Sequence, residues 1–296
     1  MQIRVLGSAA GGGVPQWNCN CHNCIAARRD KTFKNRRTQS SAAISADGKN
    51  WLLLNASPDL SSQFATFPSL TLLSSAGKNR RGSAVQAVIL TDGEMDHVAG
   101  LLSLREQKAL RLACTKAVKN LLTAHFPLLP TLEKYCQIEH SVFPVEIAGL
   151  RISALELELD KAPPYARRPA RRGDVVGLRL EANGRSLVYL PGLPGINLDV
   201  DEFVAGCDCL LVDGTFWSEH EMIGPGLSRR TAREMGHVPV GGQAGSLAWL
   251  RDLDIPRKIY THINNTNPIL RKSSRERRLV SQAGVEISHD GMDIRL

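Results

Sequence analysis

Residues 84–100 read AVQAVILTDGEMDHVAG, an apolar run followed directly by an acidic turn. The run has the length and the β-branched content of a buried strand. Four side chains able to bind a metal, Asp92, Glu94, Asp96 and His97, follow the strand on a turn that contains glycine, and a strand end can aim such ligands into a cleft. The spacing therefore predicts a metal site. The alternative is that Asp92 or Asp96 only caps the next helix and that His97 is a surface residue.

Short strand-like and helix-like patterns make up the rest of the chain. The first half has strands and then helices, and the second half repeats that order, which indicates two facing sheets with helices outside. We predict an αββα sandwich of the α/β (α+β) class, formed by a single domain over residues 1–296. Strands are predicted over 2–6, 41–45, 51–55, 84–91, 150–157, 175–180, 186–190, 209–213, 258–261 and 285–288, and helices over 97–107, 115–124, 240–252 and 267–283.

Composition favours a cytoplasmic protein. Hydrophobic residues make up 43% and charged residues 22% of the chain, enough to bury a full core. No apolar stretch has the length of a membrane span, and the first residues lack a signal-peptide pattern. Thiols stay reduced in the cytoplasm, so the seven cysteines are expected to be ligands or core residues. Core packing is predicted for Cys114, Cys136, Cys207 and Cys209.

The net charge of +8 raises the question of an anionic partner. Most basic residues are scattered, apart from Arg167 to Arg172 and Arg271 to Arg278, and no aromatic-rich strand accompanies them. We predict solvated surface and no nucleic acid or membrane partner, with an anionic substrate or acidic peptide as the functional alternative. Residues 160–174 form either a functional loop or an exposed hairpin extension. In the first case, Arg167 to Arg172 would hold an acidic substrate.

Three cysteines lie within six residues at Cys19, Cys21 and Cys24, after a glycine-rich turn. The intervening side chains are polar and unsuited to a core, so the spacing predicts a tetrahedral structural zinc site. The fourth ligand is either His22 or a distant residue that would fasten this loop to the rest of the domain.

The acidic turn resembles the His-x-His-x-Asp-His motif of the metallo-β-lactamase superfamily. Asp96 and His97 match it, whereas Asp92 and Glu94 replace the first two histidines. Other elements resemble that superfamily in order along the chain: residues 55–59 (NASPD), 213–216 (DGTF), 236–237 (GH), 261–262 (TH) and 290–292 (DGM).

Three stretches resemble the family of coenzyme PQQ synthesis protein B: residues 7–19 (GSAAGGGVPQWNC), 91–97 and 261–268 (THINNTNP). This resemblance implies pyrroloquinoline quinone (PQQ) biosynthesis, with an iron-dependent hydroxylase that oxidises the tyrosine of a Glu-Tyr unit from the precursor peptide. The expected partner is such a peptide or a PQQ-like substrate, and a homodimer is left open. A soluble carrier of PQQ or its precursor and a metal-dependent hydrolase are the alternatives.

The departures from the superfamily motif argue against a two-zinc hydrolase. The ligands that remain are Asp96, His97 and His262, the two-histidine, one-carboxylate set of non-haem iron(II) oxygenases. Asp92 and Glu94 would add ligands or orient them. By the same resemblance, Asp213 and His237 form an acid/base pair that moves protons. The alternative for His237 is a hydrogen-bonded core residue.

Overall fold

The computed structural model describes residues 1–32, 34–71, 82–159 and 161–296. Within these ranges, fourteen strands form two sheets of seven. The first sheet has the order β14-β1-β2-β3-β4-β5-β6. Its strands are β1 (Gln2–Gly7), β2 (Ser41–Ser45), β3 (Trp51–Leu54), β4 (Val85–Ile89), β5 (Ala109–Ala113), β6 (Gln137–Ser141) and β14 (Asp293–Arg295).

The second sheet has the order β13-β12-β11-β10-β9-β8-β7. Its strands are β7 (Val145–Ile147), β8 (Leu150–Glu156), β9 (Val176–Ala182), β10 (Arg185–Leu190), β11 (Cys209–Asp213), β12 (Arg257–Thr261) and β13 (Val285–Ile287). In each sheet four neighbouring strands are parallel, β3 to β6 in one and β10 to β13 in the other.

Helices cover the outer faces of both sheets. They are α1 (His22–Arg29), α2 (Leu60–Thr66), α3 (Met95–Val98), α4 (Lys116–Asn120), α5 (Leu128–Leu132), α6 (Leu198–Val204), α7 (Ser246–Asp252) and α8 (Arg275–Gln282). One apolar cluster lies between the inner faces of the two sheets. A second lies between the first sheet and its helices, and a third between the second sheet and its helices. The predicted αββα sandwich is therefore confirmed.

All ten predicted strands are present, with bounds that shift by at most two residues. Strands β5, β6, β7 and β14 were not predicted. The predicted helices are shorter than their patterns, because the segment 240–252 begins with a glycine-containing turn and only Ser246–Asp252 is helical. Likewise, Ser274 caps α8, so that the pattern over 267–283 contains a 3₁₀ turn and then a helix.

The predicted core cysteines are confirmed, since Cys114, Cys136, Cys207 and Cys209 are all buried. Within the described ranges, no helix has the length and apolar character required to cross a membrane.

The carboxyl ends of β4, β11 and β12 meet at one edge of the sandwich. Residues 91–97 follow β4, Asp213 is the last residue of β11 and His262 follows β12. Strands β11 and β12 are parallel neighbours of the second sheet, so they end side by side. The turn after β4 of the first sheet reaches the same place, where Asp96 Oδ2 lies 3.2 Å from His262 Nε2.

Candidate metal centre

Asp92 lies behind the His97 ring. Its two carboxylate oxygens are 2.9 and 2.7 Å from His97 Nδ1. The Thr91 hydroxyl and the Glu94 backbone N–H also donate to this carboxylate, at 2.7 and 2.9 Å. Such a carboxylate fixes the ring orientation and makes Nδ1 the protonated nitrogen. Of the two predicted roles of Asp92, this geometry favours orienting His97 over binding a metal.

The other ring nitrogen of His97, Nε2, is buried without a hydrogen-bond partner. It belongs to a cluster in which one donor atom each from Asp96, His97 and His262 lie within 4.8 Å of one another. A buried polar atom without a partner is costly, so its position calls for a ligand. The structure thus brings together the three residues that the sequence predicts as the main ligand set.

Thr215 orients His262. The Thr215 hydroxyl donates to Asp213 Oδ1 over 2.5 Å, and its oxygen lies 2.8 Å from His262 Nδ1, which leaves Nδ1 as the donor of that bond. His262 Nε2 then carries a lone pair, 3.2 Å from the Asp96 Oδ2 atom. Two acceptors at that separation repel each other unless a cation lies between them, so these residues fit a bound metal ion.

Backbone conformation also marks His262. Its φ of +56° is in the left-handed region, which is uncommon for a residue with a side chain. Strained positions of this kind concentrate at functional sites, where the surrounding structure enforces them. Here the next residue, Ile263, holds the backbone through its bridge to Ala9.

The electrostatics of this cluster favour positive charge. Burial lowers the pKa of His97, but the charges of Asp92, Asp96 and Glu94 outweigh it and raise that pKa to about 9. Burial also raises the pKa of Asp96, yet His97 and His262 hold it well below its usual range. The acidic groups therefore attract a proton or a metal ion to the place where the two imidazoles meet.

Asp213 and His237 form a hydrogen-bonded pair beside the cluster of Asp96, His97 and His262. His237 Nδ1 is 2.6 Å from Asp213 Oδ2, which also accepts the Leu193 N–H, while Oδ1 accepts the Thr215 N–H and hydroxyl. Asp213, His237 and His262 have donor atoms within 4.8 Å of one another. However, both Asp213 oxygens are already occupied, so this trio is better suited to holding a proton than a metal ion.

A cavity of about 500 Å³ opens over these residues. Glu94 lies in its lining rather than in either trio, and burial together with Asp92 raises its pKa. The loop after β8 closes one side, where the Tyr165 hydroxyl donates to the Gly93 carbonyl over 2.6 Å. Tyr165 lies within the predicted loop over residues 160–174, but this contact could not be predicted, because its partner is a backbone atom 72 positions away.

The arginines at 167–172 do not have the predicted position. None of the four is among the described residues that line this cavity. Arg168 forms a paired ion bridge with Asp174 at 2.7 Å, and Arg172 binds Glu156 at 2.6 Å. Ion pairs occupy the charges of Arg168 and Arg172. That these arginines hold an acidic substrate stays a prediction, which their position outside the cavity lining does not favour. Asp160, at the start of the predicted loop, lies outside the described residues.

The three cysteines of the predicted zinc site also come together. The Sγ atoms of Cys19, Cys21 and Cys24 lie within 4.8 Å of one another. Burial raises the pKa of Cys21 to about 11, so a cation is needed to keep this thiolate at neutral pH. His22 is exposed at the start of α1 and is not in the cluster, which leaves a distant fourth ligand.

Asn265 occupies the position for that ligand. Its side-chain nitrogen lies 3.1, 3.6 and 3.2 Å from the sulfurs of Cys19, Cys21 and Cys24, while its Oδ1 is buried without a partner. A rotation of the amide by 180° aims the oxygen at the three sulfurs instead. We infer that Asn265 completes the shell and joins the N-terminal loop to the segment after His262.

Cys21→Ser is expected to remove zinc from this site and to lower the free energy of unfolding by several kcal/mol, because binding of a structural zinc is coupled to folding. Zinc content and thermal unfolding measure the two effects. Asn265→Ala should weaken zinc binding less, and Cys136→Ala, which deletes a buried thiol outside the cluster, should leave zinc content unchanged. Unaltered zinc and melting temperature in Cys21→Ser would contradict the site.

Glu221 anchors the segment that follows β11. It accepts hydrogen bonds from the Trp217 N–H at 2.6 Å and from the Thr266 hydroxyl. Burial raises its pKa to about 7, from the usual 4.5. The folded protein therefore retains this proton between pH 4.5 and 7 while the unfolded chain releases it, so the contribution to stability is full below pH 4.5 and decreases up to pH 7.

Glu221→Gln is accordingly expected to stabilise the protein by about 2–3 kcal/mol at pH 8 and to have little effect at pH 4. Denaturant unfolding across that range measures the difference. Glu219→Gln is the matched control, because Glu219 lies on the same segment and forms a partly exposed ion pair with Arg233. The same stability gain at both pH values would exclude a role for the Glu221 proton.

The fold and the site define a protein of the β-lactamase superfamily with a candidate metal centre. The family model described as "Beta-lactamase superfamily domain" matches residues 50–263. Coenzyme PQQ synthesis protein B of Methylococcus capsulatus is 46% identical over 307 residues, covering 99% of both chains, and that of Cupriavidus necator is 45% identical with the same coverage. The chain belongs to the coenzyme PQQ synthesis protein B family.

Solved structures agree with this assignment. The crystal structure of zinc-bound PqqB from Methylobacterium extorquens has a TM-score of 0.91 with this chain. The two sequences are 36% identical, and the match covers 100% of both chains. A diphosphatase of the PhnP family has a TM-score of 0.71 at 19% identity, covering 100% of this chain and 97% of its own, and it shares the fold alone.

Proposed function

We propose that this chain acts in PQQ biosynthesis as an iron-dependent hydroxylase, which oxidises the tyrosine ring of a Glu-Tyr unit from the precursor peptide. The observation that carries the proposal is the cluster of Asp96, His97 and His262, whose donor atoms lie within 4.8 Å. Two imidazoles and one carboxylate are the donor set of non-haem iron(II) oxygenases. Membership of the PQQ synthesis protein B family supports the pathway.

The neighbouring residues prepare this donor set. Asp92 keeps the proton of His97 on Nδ1, and Thr215 does the same for His262, so that both Nε2 atoms offer lone pairs. Bound iron(II) would supply the oxygen-activating chemistry. Tyr165 holds the loop after β8 against the metal-binding turn and thereby limits the access of water from that side.

His237 is placed to move the phenol proton of a bound tyrosine. Its Nδ1 is bonded to the buried Asp213 carboxylate, and its ring lines the cavity, so Nε2 is the nitrogen available to substrate. Burial raises the pKa of Asp213, but the charge and hydrogen bond of His237 outweigh this and lower it, so the carboxylate stays ionised and holds the His237 ring in place.

The test is anaerobic reconstitution with iron(II), followed by Glu-Tyr, oxygen and ascorbate as electron donor, with mass analysis of the product. We expect oxygen to be incorporated into the tyrosine ring only when both iron and oxygen are present. Zinc-loaded protein is the matched control. Hydrolysis of substrate by the zinc form without oxygen would instead identify a metal-dependent hydrolase, and tight quinone binding without turnover would identify a carrier.

A further inference from the structure

Charged groups of both signs line the cavity over the candidate metal centre. Three of the lining residues, Asp92, Glu94 and Asp96, belong to the acidic turn after β4. Among the described residues that line the cavity, one is a lysine, Lys161, and one is an arginine, Arg230. A ligand that carries both an anionic end and a group destined for the metal would therefore bind in one orientation.

Lys161 follows β8 and is held in an extended bridge with Pro169. Its Cε lies 3.7 Å from where a Cβ on Gly236 would be, which places its chain next to the residue before His237. Burial lowers the pKa of this ammonium, Glu94 opposes that shift, and the charge of Arg230 adds to it. Lys161 therefore lies close enough to Arg230 for the two cations to repel.

Arg230 is exposed on the segment after β11 and lines the same cavity. Its backbone N–H donates to the Ser228 hydroxyl over 3.0 Å, and Ser228 also lines the cavity. No described carboxylate lies within ion-pair distance of Lys161 or Arg230, in contrast to Arg168, Arg172 and Arg233. Glu94 acts on Lys161, and Arg230 acts on Glu234, from beyond that distance. Both cations therefore retain hydrogen-bonding capacity for an anionic ligand.

We propose that Lys161 and Arg230 together bind a carboxylate of the substrate and so direct its ring towards the metal ligands. The choice of a Glu-Tyr ligand rests on the proposed function. Phe216, Met222, Met235 and Leu159 supply an apolar lining between the two ends. A carboxylate between the cations removes their repulsion, while an aromatic ring packs against the apolar residues and the acidic turn repels a second carboxylate.

The experiment measures binding instead of turnover. Zinc-loaded protein is titrated calorimetrically with Glu-Tyr and, in parallel, with Gln-Tyr amide, which has the same size and no carboxylate. We expect Lys161→Met and Arg230→Gln each to weaken Glu-Tyr binding by about 10-fold to 100-fold, since each removes a charge-assisted hydrogen bond. Neither variant should alter binding of the amide, and the loss should diminish with added salt.

Arg229→Gln is the matched control, because Arg229 is an exposed neighbour that does not line the cavity. Equal Glu-Tyr affinity in parent and both variants would overturn the proposal, and so would an equal loss for the amide or no Glu-Tyr binding by the parent. Failure of hydroxylation with intact, charge-dependent Glu-Tyr binding would count against the proposed oxygenase alone.

Discussion

His97→Ala is expected to abolish metal binding at the Asp96, His97 and His262 cluster and, with it, all iron- and oxygen-dependent product. Two donors remain after this change, and the buried carboxylate of Asp92 loses its partner. Metal analysis after iron(II) reconstitution and product assay measure the two losses. Zinc at the cysteine cluster should stay, because that cluster shares no ligand with this site.

Asp92→Asn tests the orienting role of Asp92. The amide retains an acceptor for His97 Nδ1 but lacks the charge, so we expect metal affinity to fall by about 10–100-fold without being abolished. Full iron content in His97→Ala would exclude this histidine as a ligand. Complete loss in Asp92→Asn would make Asp92 a ligand itself.

His237→Ala is expected to retain the metal and to slow turnover by about 10²–10⁴-fold, the usual contribution of a group that transfers a proton. This expectation rests on the contacts of His237, which is bonded to an Asp213 carboxylate whose oxygens are both in use. Turnover number and metal content measured on one preparation distinguish them.

His289→Ala is the control for loss of a histidine, since His289 is exposed and contacts a backbone oxygen outside the cavity. Normal turnover in His237→Ala would show that His237 does not transfer a proton and would favour its alternative role as a hydrogen-bonded core residue. Loss of metal and activity together would place His237 among the ligands.

The strands that the sequence predicts are mostly buried and rich in apolar residues, as in residues 84–90, where Gln86 is the one polar residue. Those that it misses have weaker patterns. Strand β6 reads QIEHS and has no fully buried residue, while β7 and β14 are three residues long. Their stability comes from pairing with neighbours rather than from their own hydrophobicity, so a pattern along one segment does not identify them.

At the candidate site, the sequence identifies residue types but not the direction of each side chain. The motif predicts Asp96, His97 and His262, and the structure brings their donor atoms together. The sequence leaves the role of Asp92 open, because only the folded structure places that carboxylate against His97 Nδ1. Lys161 and Arg230 line the same cavity although they are 69 positions apart in sequence, and no local pattern marks either one.

Asn265 gives the cysteine loop influence over a distant part of the chain. It meets Cys21 across 244 positions and lies three residues after His262, whose backbone is held in the left-handed conformation. The cysteine cluster and the segment that carries His262 are therefore connected directly. Because binding of a structural zinc is coupled to folding, we expect zinc depletion to loosen that segment and to reduce iron retention even when iron is plentiful.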